Sequence, residues 1–210
     1  MRDAKRFSRA AILGAFGWVA LAAARPAPPT PRHLAVPLGP AHVEPDSSPR
    51  SDLRLAASLS GRRLVVQVGE DSSLTFAIAV GKDSKPTPTG SFNVRKIVWN
   101  PAWVPPDEKW AKGKEPQPPG AKANPMKLVK IFFKEPDYYI HGTSDVETLG
   151  DAASHGCLRM DPDDAYRLAR FLMEHGGQPR DESWFWRVMH FRSETKTVYL
   201  DHPIPLTISQ

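Results

Sequence analysis

The chain has 210 residues, 40% of them hydrophobic, with 28 Lys and Arg against 23 Asp and Glu and a single cysteine. That length supports one domain with a real core, and one cysteine excludes an internal disulfide scaffold. A formal charge of +5 without a long Lys/Arg run interleaved with aromatics gives no reason to invoke nucleic acid.

The first element is a targeting pattern. "MRDAKRFSR" carries Arg2, Lys5, Arg6 and Arg9, and an apolar run, Ala10 to Ala24, follows. The run is too short and too rich in Gly and Ala for a comfortable membrane span. Ala22 and Ala24 supply the small residues a signal peptidase needs, so residues 1–24 read as a cleaved export signal. An uncleaved anchor is the alternative, and either puts the domain outside the cytoplasm, in the periplasm or cell wall. Cleavage lowers the formal charge to +2. Residues 25–52 are dense in proline without helix or strand period and read as a semi-extended linker. His33 and His42 lie in it as solvated polar residues. An exported protein meets oxidants, so its one thiol, Cys157, is kept either by burial or for chemistry.

From Leu53 to residue 210 the pattern is that of a folded domain. "RRLVVQV", "SLTFAIAV", "SFNVRKIVW", "KLVKIFF" and "DYYIHG" are β-branched and aromatic runs broken by turn residues, and predict strands. "GKDSKPTPTG", Gly81 to Gly90, is turn chemistry. Trp99 to Pro125 has no usable periodicity and predicts a functional loop or lid. Trp99 and Trp103 suit core packing or substrate contact. "DPDDAYRLARFLMEHGG" predicts a helix capped by Asp161, with Pro162 in its first turn and Gly176–Gly177 ending it. "ESWFWRVMHFR" predicts a second short helix and "KTVYLDHPIPLTI" one or two last strands. The sum is a mainly β domain with short helices on one side.

"HGTSDVETLGDAASHGCLRM", His141 to Met160, holds Cys157 two residues after His155 and sixteen after His141. Three chemistries fit. Cys157 is a buried structural thiol near core histidines; or His141, His155 and Cys157 ligate zinc, with Asp145 or Asp151 completing the set; or Cys157 is a nucleophile whose proton an imidazole takes. For the last, "CLRM" forms a strand beside "DYYIHG" and brings the two side chains together, with backbone N–H groups near Gly156 receiving an oxyanion.

The same block resembles the signature of the YkuD-type L,D-transpeptidases: His-Gly, a spacer of about a dozen residues, then Ser/Thr-His-Gly-Cys, an aliphatic residue, and Arg or Asn. Residues 141, 142 and 154 to 159 all fit. "PTPTGSFNV", "NPAWVPP" and "PPGAKANPM" resemble other segments of the family, so the likeness runs from about Leu64 to Met160. Val146 departs from it, since many members have proline there, and "RDESWFWRVMHFRSETK" matches nothing in detail. The resemblance implies a β-sandwich-like catalytic domain over 53–210 and a cysteine-dependent acyl transfer without metal or organic cofactor. It implies Cys157 as nucleophile, His141 as base and the carbonyl of Gly142 as orienter of its ring. Gly156 and Cys157 would lend backbone N–H groups, and Ser154, His155 and Arg159 would shape the pocket and meet the substrate. The implied substrate is a peptidoglycan tetrapeptide stem, with D-Ala leaving and a second stem or a wall-anchored protein's lysine accepting. Inhibition by carbapenems is implied too. Hydrolysis by the same site, as in an L,D-carboxypeptidase, and a non-catalytic wall-binding domain are the alternatives.

Overall fold

The computed structural model describes residues 53–70 and 72–210; the export signal and linker expected at 1–24 and 25–52 lie outside them. Among the described residues, three strands open the domain: β1 (Arg54–Ser58), β2 (Arg63–Val68) and β3 (Ser72–Ala77). Alternation sends Leu55, Ala57, Leu64 and Val66 into the core and Arg54 and Arg63 to solvent. The run "SLTFAIAV" does not form one strand. It ends at Ala77 and resumes as the two-residue β4 (Val80–Gly81), because Ala79 turns aside to pair with Arg159.

Next come β5 (Gly90–Trp99), β6 (Val129–Lys134), β7 (Tyr138–Gly142), β8 (Ala152–Ser154) and β9 (Leu158–Met160). Two helices follow, α1 (Pro162–His175) and α2 (Glu182–His190), and the last strand is β10 (Lys196–Ser209). Asp161 caps α1 by accepting from the Asp163 amide at 2.8 Å, with Pro162 at the helix start. Asp181 caps α2 through the Trp184 amide at 2.7 Å.

Eight strands form one sheet in the order β3-β2-β1-β10-β5-β6-β7-β9, and β4 pairs with β8 in a separate two-stranded sheet. β10 is the seam. It runs parallel to β1 from Leu206 to Ser209 and antiparallel to β5 along almost its whole length. Its register slips between Tyr199 and Ile204; Pro203 lies in the slip and has no N–H to give a ladder. Buried side chains from both wings of the sheet and from both helices join one contiguous core, the mainly β, sandwich-like organisation expected. At one pole Trp99 is fully buried, with Tyr166, Trp184 and Phe185 set edge-on around it at 5.7–5.8 Å. Trp99 is therefore core, the end of β5 rather than the start of the lid. α1 lies against β6, β7 and β10, bracing the strands that carry the site.

Candidate active site

Packing of β7 against β9 decides which side chains meet. The two strands are parallel, with Ile140 opposite Leu158, His141 opposite Arg159 and Gly142 opposite Met160. Ile140, Leu158 and Met160 are fully buried in the core, so the period of two sends His141 and Arg159 to the other face. Cys157, one residue before β9, falls on that face beside Tyr139. β6 continues the pattern, with Lys130 opposite His141 and Phe132 opposite Tyr139. One cross-strand row thus reads Lys130, His141, Arg159, and the next holds Tyr139 and Cys157. All five residues line a cleft of about 580 Å³, whose far wall is the lid.

His141 is 4% exposed, and its Nδ1 lies 2.7 Å from the carbonyl oxygen of Gly142. A carbonyl only accepts, so Nδ1 carries the proton, and the Nε2 of the neutral ring keeps its lone pair. Burial pulls the imidazole down from its ordinary 6.5 to about 3; the Gly142 carbonyl opposes it, Arg159 and Lys130 add to it, and the Pro125 carbonyl again pulls the other way. Cys157 is partly accessible, but the crowding of its sulfur pushes the thiol up from 9 to about 11, against the pull of Tyr139, Lys130 and Arg159. Its Sγ donates to the carbonyl of Asp137 at 3.3 Å. The thiol and imidazole share a face and a cleft, but the thiol's hydrogen bond runs to the backbone and not to His141.

One of the roles expected from the sequence needs correction. Gly156 does not have a free amide: its N–H donates to Ser154 Oγ at 3.0 Å. The expected pair of oxyanion donors therefore loses Gly156, which leaves the Cys157 N–H. What position 156 requires is glycine itself. Its φ is 112°, and a Cβ there would stand 2.9 Å from the Tyr138 ring. Ser154 lines the cleft, as a pocket-shaping residue would, but it is 1% exposed and its hydroxyl donates to the Cys157 carbonyl at 2.6 Å. Both of its hydrogen bonds stay inside the turn, so it fixes the loop that presents Cys157.

His155 forms a wall of the cleft. Its ring stacks on Trp110 with centroids 3.9 Å apart, and burial lowers its pKa. Arg159 lies 3.6 Å from Asp145 and so reaches the cleft already paired. With Asp145 on Arg159 and His155 on Trp110, the ligand set required for zinc is not assembled. Among the described residues no three His, Cys, Asp or Glu side chains form a group that could hold a metal ion.

The segment expected as a structureless lid is internally built. Trp103 and Gln117 pair across it as an antiparallel bridge, and Lys109–Ala111 make one turn of 3₁₀ helix. Buried Asn124 donates to the carbonyls of Pro101 and Pro118, and its own carbonyl accepts from Met126. The tip is latched: Glu108 meets Lys85 at 2.5 Å and accepts from Trp110 Nε1 at 3.0 Å, while Trp110 lies on His155. Lys130, Tyr139, Trp110 and Glu108 are site residues that sequence reading missed. A lysine alternating within the apolar run "LVKIFF" was the available signal for the first.

A sequence model of the L,D-transpeptidase catalytic domain, YkuD, matches residues 52–189. The chain belongs to that family. Similar proteins include the YkuD proteins of Bacillus licheniformis, 32% identical over 128 residues, and of Bacillus subtilis, 28% identical over 118, both provisionally named L,D-transpeptidases. These matches cover 61% and 56% of this chain, but only 63% and 59% of the relatives, so the chain spans less than two thirds of the length of the relatives it matches. Among solved structures, an L,D-transpeptidase from Mycobacterium smegmatis is 16% identical with a TM-score of 0.48, over 76% of this chain and 59% of that one. L,D-transpeptidase 3 from Mycobacterium tuberculosis, in complex with a faropenem-derived adduct, is 16% identical with a TM-score of 0.47, over 76% of this chain and 61% of that one.

Proposed function

We propose that this chain is an exported L,D-transpeptidase that acts on peptidoglycan tetrapeptide stems through a thioester on Cys157. The observation that carries the reading is the shared cleft face of a lone cysteine and a buried neutral imidazole, whose Nδ1 is committed to Gly142, within the matched family domain. A thiol pushed up and an imidazole pushed down do not form a resting ion pair. The proton therefore moves during attack rather than before it. The Cys157 thiol turns from the Asp137 carbonyl to Nε2 of His141. As Sγ bonds to the carbonyl carbon of the diamino acid–D-Ala amide, Nε2 takes its proton, and the Cys157 N–H receives the oxyanion. Collapse breaks the C–N bond, His141 returns the proton to the leaving amine, and D-Ala departs. An acceptor amine, from a second stem or a protein lysine, then attacks the thioester. His141 takes the amine's proton and passes it to the departing sulfur.

The lid favours an amine over water, because it covers the cleft and is latched through Trp110. Export rests on residues 1–24, read as a signal that delivers the domain to the periplasm or wall. The test is mass spectrometry of products from a disaccharide-tetrapeptide incubated with protein lacking residues 1–24. D-Ala should be released with a dimer joined between two diamino acids, or exchanged for a supplied D-amino acid. Tripeptide alone, with abundant amine present, would make the protein a carboxypeptidase. No cleavage, with Cys157→Ala binding peptidoglycan as well as the native chain, would make it a wall-binding domain.

A further inference from the structure

His141 stands between two cations. Strands lie about 4.8 Å apart, so Lys130 is one strand from the base and two from Cys157, and Arg159 stands on the opposite side. The two cations are not equivalent. Arg159 is held by Asp145 at 3.6 Å. Lys130 is half-buried, and no carboxylate among the described residues lies within salt-bridge distance of it. Its Nζ has the carbonyl of Ala102 at 3.3 Å, on the lid, and the face of the Tyr139 ring at 4.8 Å. A carbonyl and a ring face leave N–H groups of an ammonium unused, and those groups open onto the cleft beside the nucleophile. Burial disfavours the charged form of this lysine, and a negative charge at Cys157 favours it. An anion in the cleft would relieve the same penalty.

We propose that Lys130 is a specificity-determining residue that binds a carboxylate of the acyl donor within a few bonds of the scissile amide. The inference rests on the reading of the cleft as a stem-peptide site. Two carboxylates of such a donor have this chemistry: that of the leaving terminal residue and that on the side chain of the diamino acid. Lys130 grips one of them while the amide lies over Cys157, with Tyr139 forming the floor between.

Cys157 is the only cysteine, so alkylation tests the site without any peptide. Sγ displaces iodide from iodoacetate or iodoacetamide, forming the C–S bond and releasing the thiol proton to solvent. The two reagents differ in bearing a carboxylate or an amide, and the ratio of their rates cancels the thiolate fraction. Lys130→Met should lower the iodoacetate-to-iodoacetamide ratio by about tenfold, the size of one charge-assisted hydrogen bond, and Lys130→Arg should restore most of it. A ratio unchanged in Lys130→Met, with the melting temperature intact, overturns the proposal; a lysine acting only on the thiol pKa would give that result. The donor arm uses a tetrapeptide stem with both carboxylates free, one with its C-terminus amidated and one with the diamino acid amidated. One of the two amides should raise KM for the native enzyme as much as Lys130→Met does for the free acid, with kcat little changed, and no further in the variant. That amide identifies the carboxylate. Equal KM for all three donors overturns the specificity role. An enzyme that cleaves none of them defeats the stem-peptide reading, and the alkylation ratio still decides whether Lys130 receives a carboxylate.

Discussion

Burial holds the imidazole of His141 near 3 and the thiol of Cys157 near 11, so both are neutral at pH 7. Alkylation of Cys157 by iodoacetamide should rise with pH toward about 11, without an inflection between 6 and 7; a plateau reached by pH 7 would reveal a resting thiolate–imidazolium pair. Stability should follow the same shifts. The His141 contribution is present above 6.5 and lost as pH falls toward 3, and the Cys157 contribution is present below 9 and lost as pH rises toward 11. His141→Gln should flatten the acid limb of melting temperature against pH. Ser154→Ala removes the one hydroxyl that holds both the Gly156 amide and the Cys157 carbonyl. It should cost about 1–3 kcal/mol in a denaturant melt and slow acylation by a carbapenem, which for the native chain should add one drug equivalent, on Cys157. The positions of these residues were legible in "HGTSDVETLGDAASHGCLRM" because short motifs keep a catalytic group and its turn together in sequence. The partner of the Gly156 amide was not legible. Which way an amide points depends on φ 112° at Gly156 and on a ring from another strand.

The same limit appears in the secondary elements. α1 could be read because its cap, its apolar spacing and its glycines all lie within one stretch. β1 could not: "RLAAS" has little strand character of its own and becomes a strand by lying between β2 and β10. The lid was marked by its lack of period, but its bridge from Trp103 to Gln117 and its asparagine anchor are long-range facts. Its latch carries a prediction. The Trp110–His155 stack contributes about 0.5–1.5 kcal/mol, and the exposed Lys85–Glu108 pair adds little in water. Trp110→Ala should therefore open the lid without unfolding the domain. Tripeptide should increase at the expense of dimer or exchange product, and removal of residues 105–119 should push the balance further. An unchanged product ratio in both variants would mean that the lid does not decide between amine and water.

At the scale of the whole molecule, everything passes through β10. It joins β1, β2 and β3 on one side to β5, β6, β7 and β9 on the other, and only the second wing carries the site. Ile204, Leu206 and Ile208 are buried where the wings meet, at 3%, 1% and 2% exposure. Leu206 is registered with Leu55 on β1 and with Phe92 on β5, so it touches both wings at once. Leu206→Ala should cost about 2–5 kcal/mol, the range for a buried leucine truncated in a packed core. The more telling measurement is where the loss is felt. The site wing can be followed by tryptophan fluorescence, since no described tryptophan lies in β1, β2 or β3, and by alkylation of Cys157, and the other wing by amide exchange in β1 and β2. One contiguous core requires the three transitions to coincide in denaturant, in the native chain and in Leu206→Ala alike. If β1 and β2 exchange freely while Cys157 keeps its native reactivity, the wings are separable units. The site would then owe its geometry to α1 and its own strands rather than to the whole sheet.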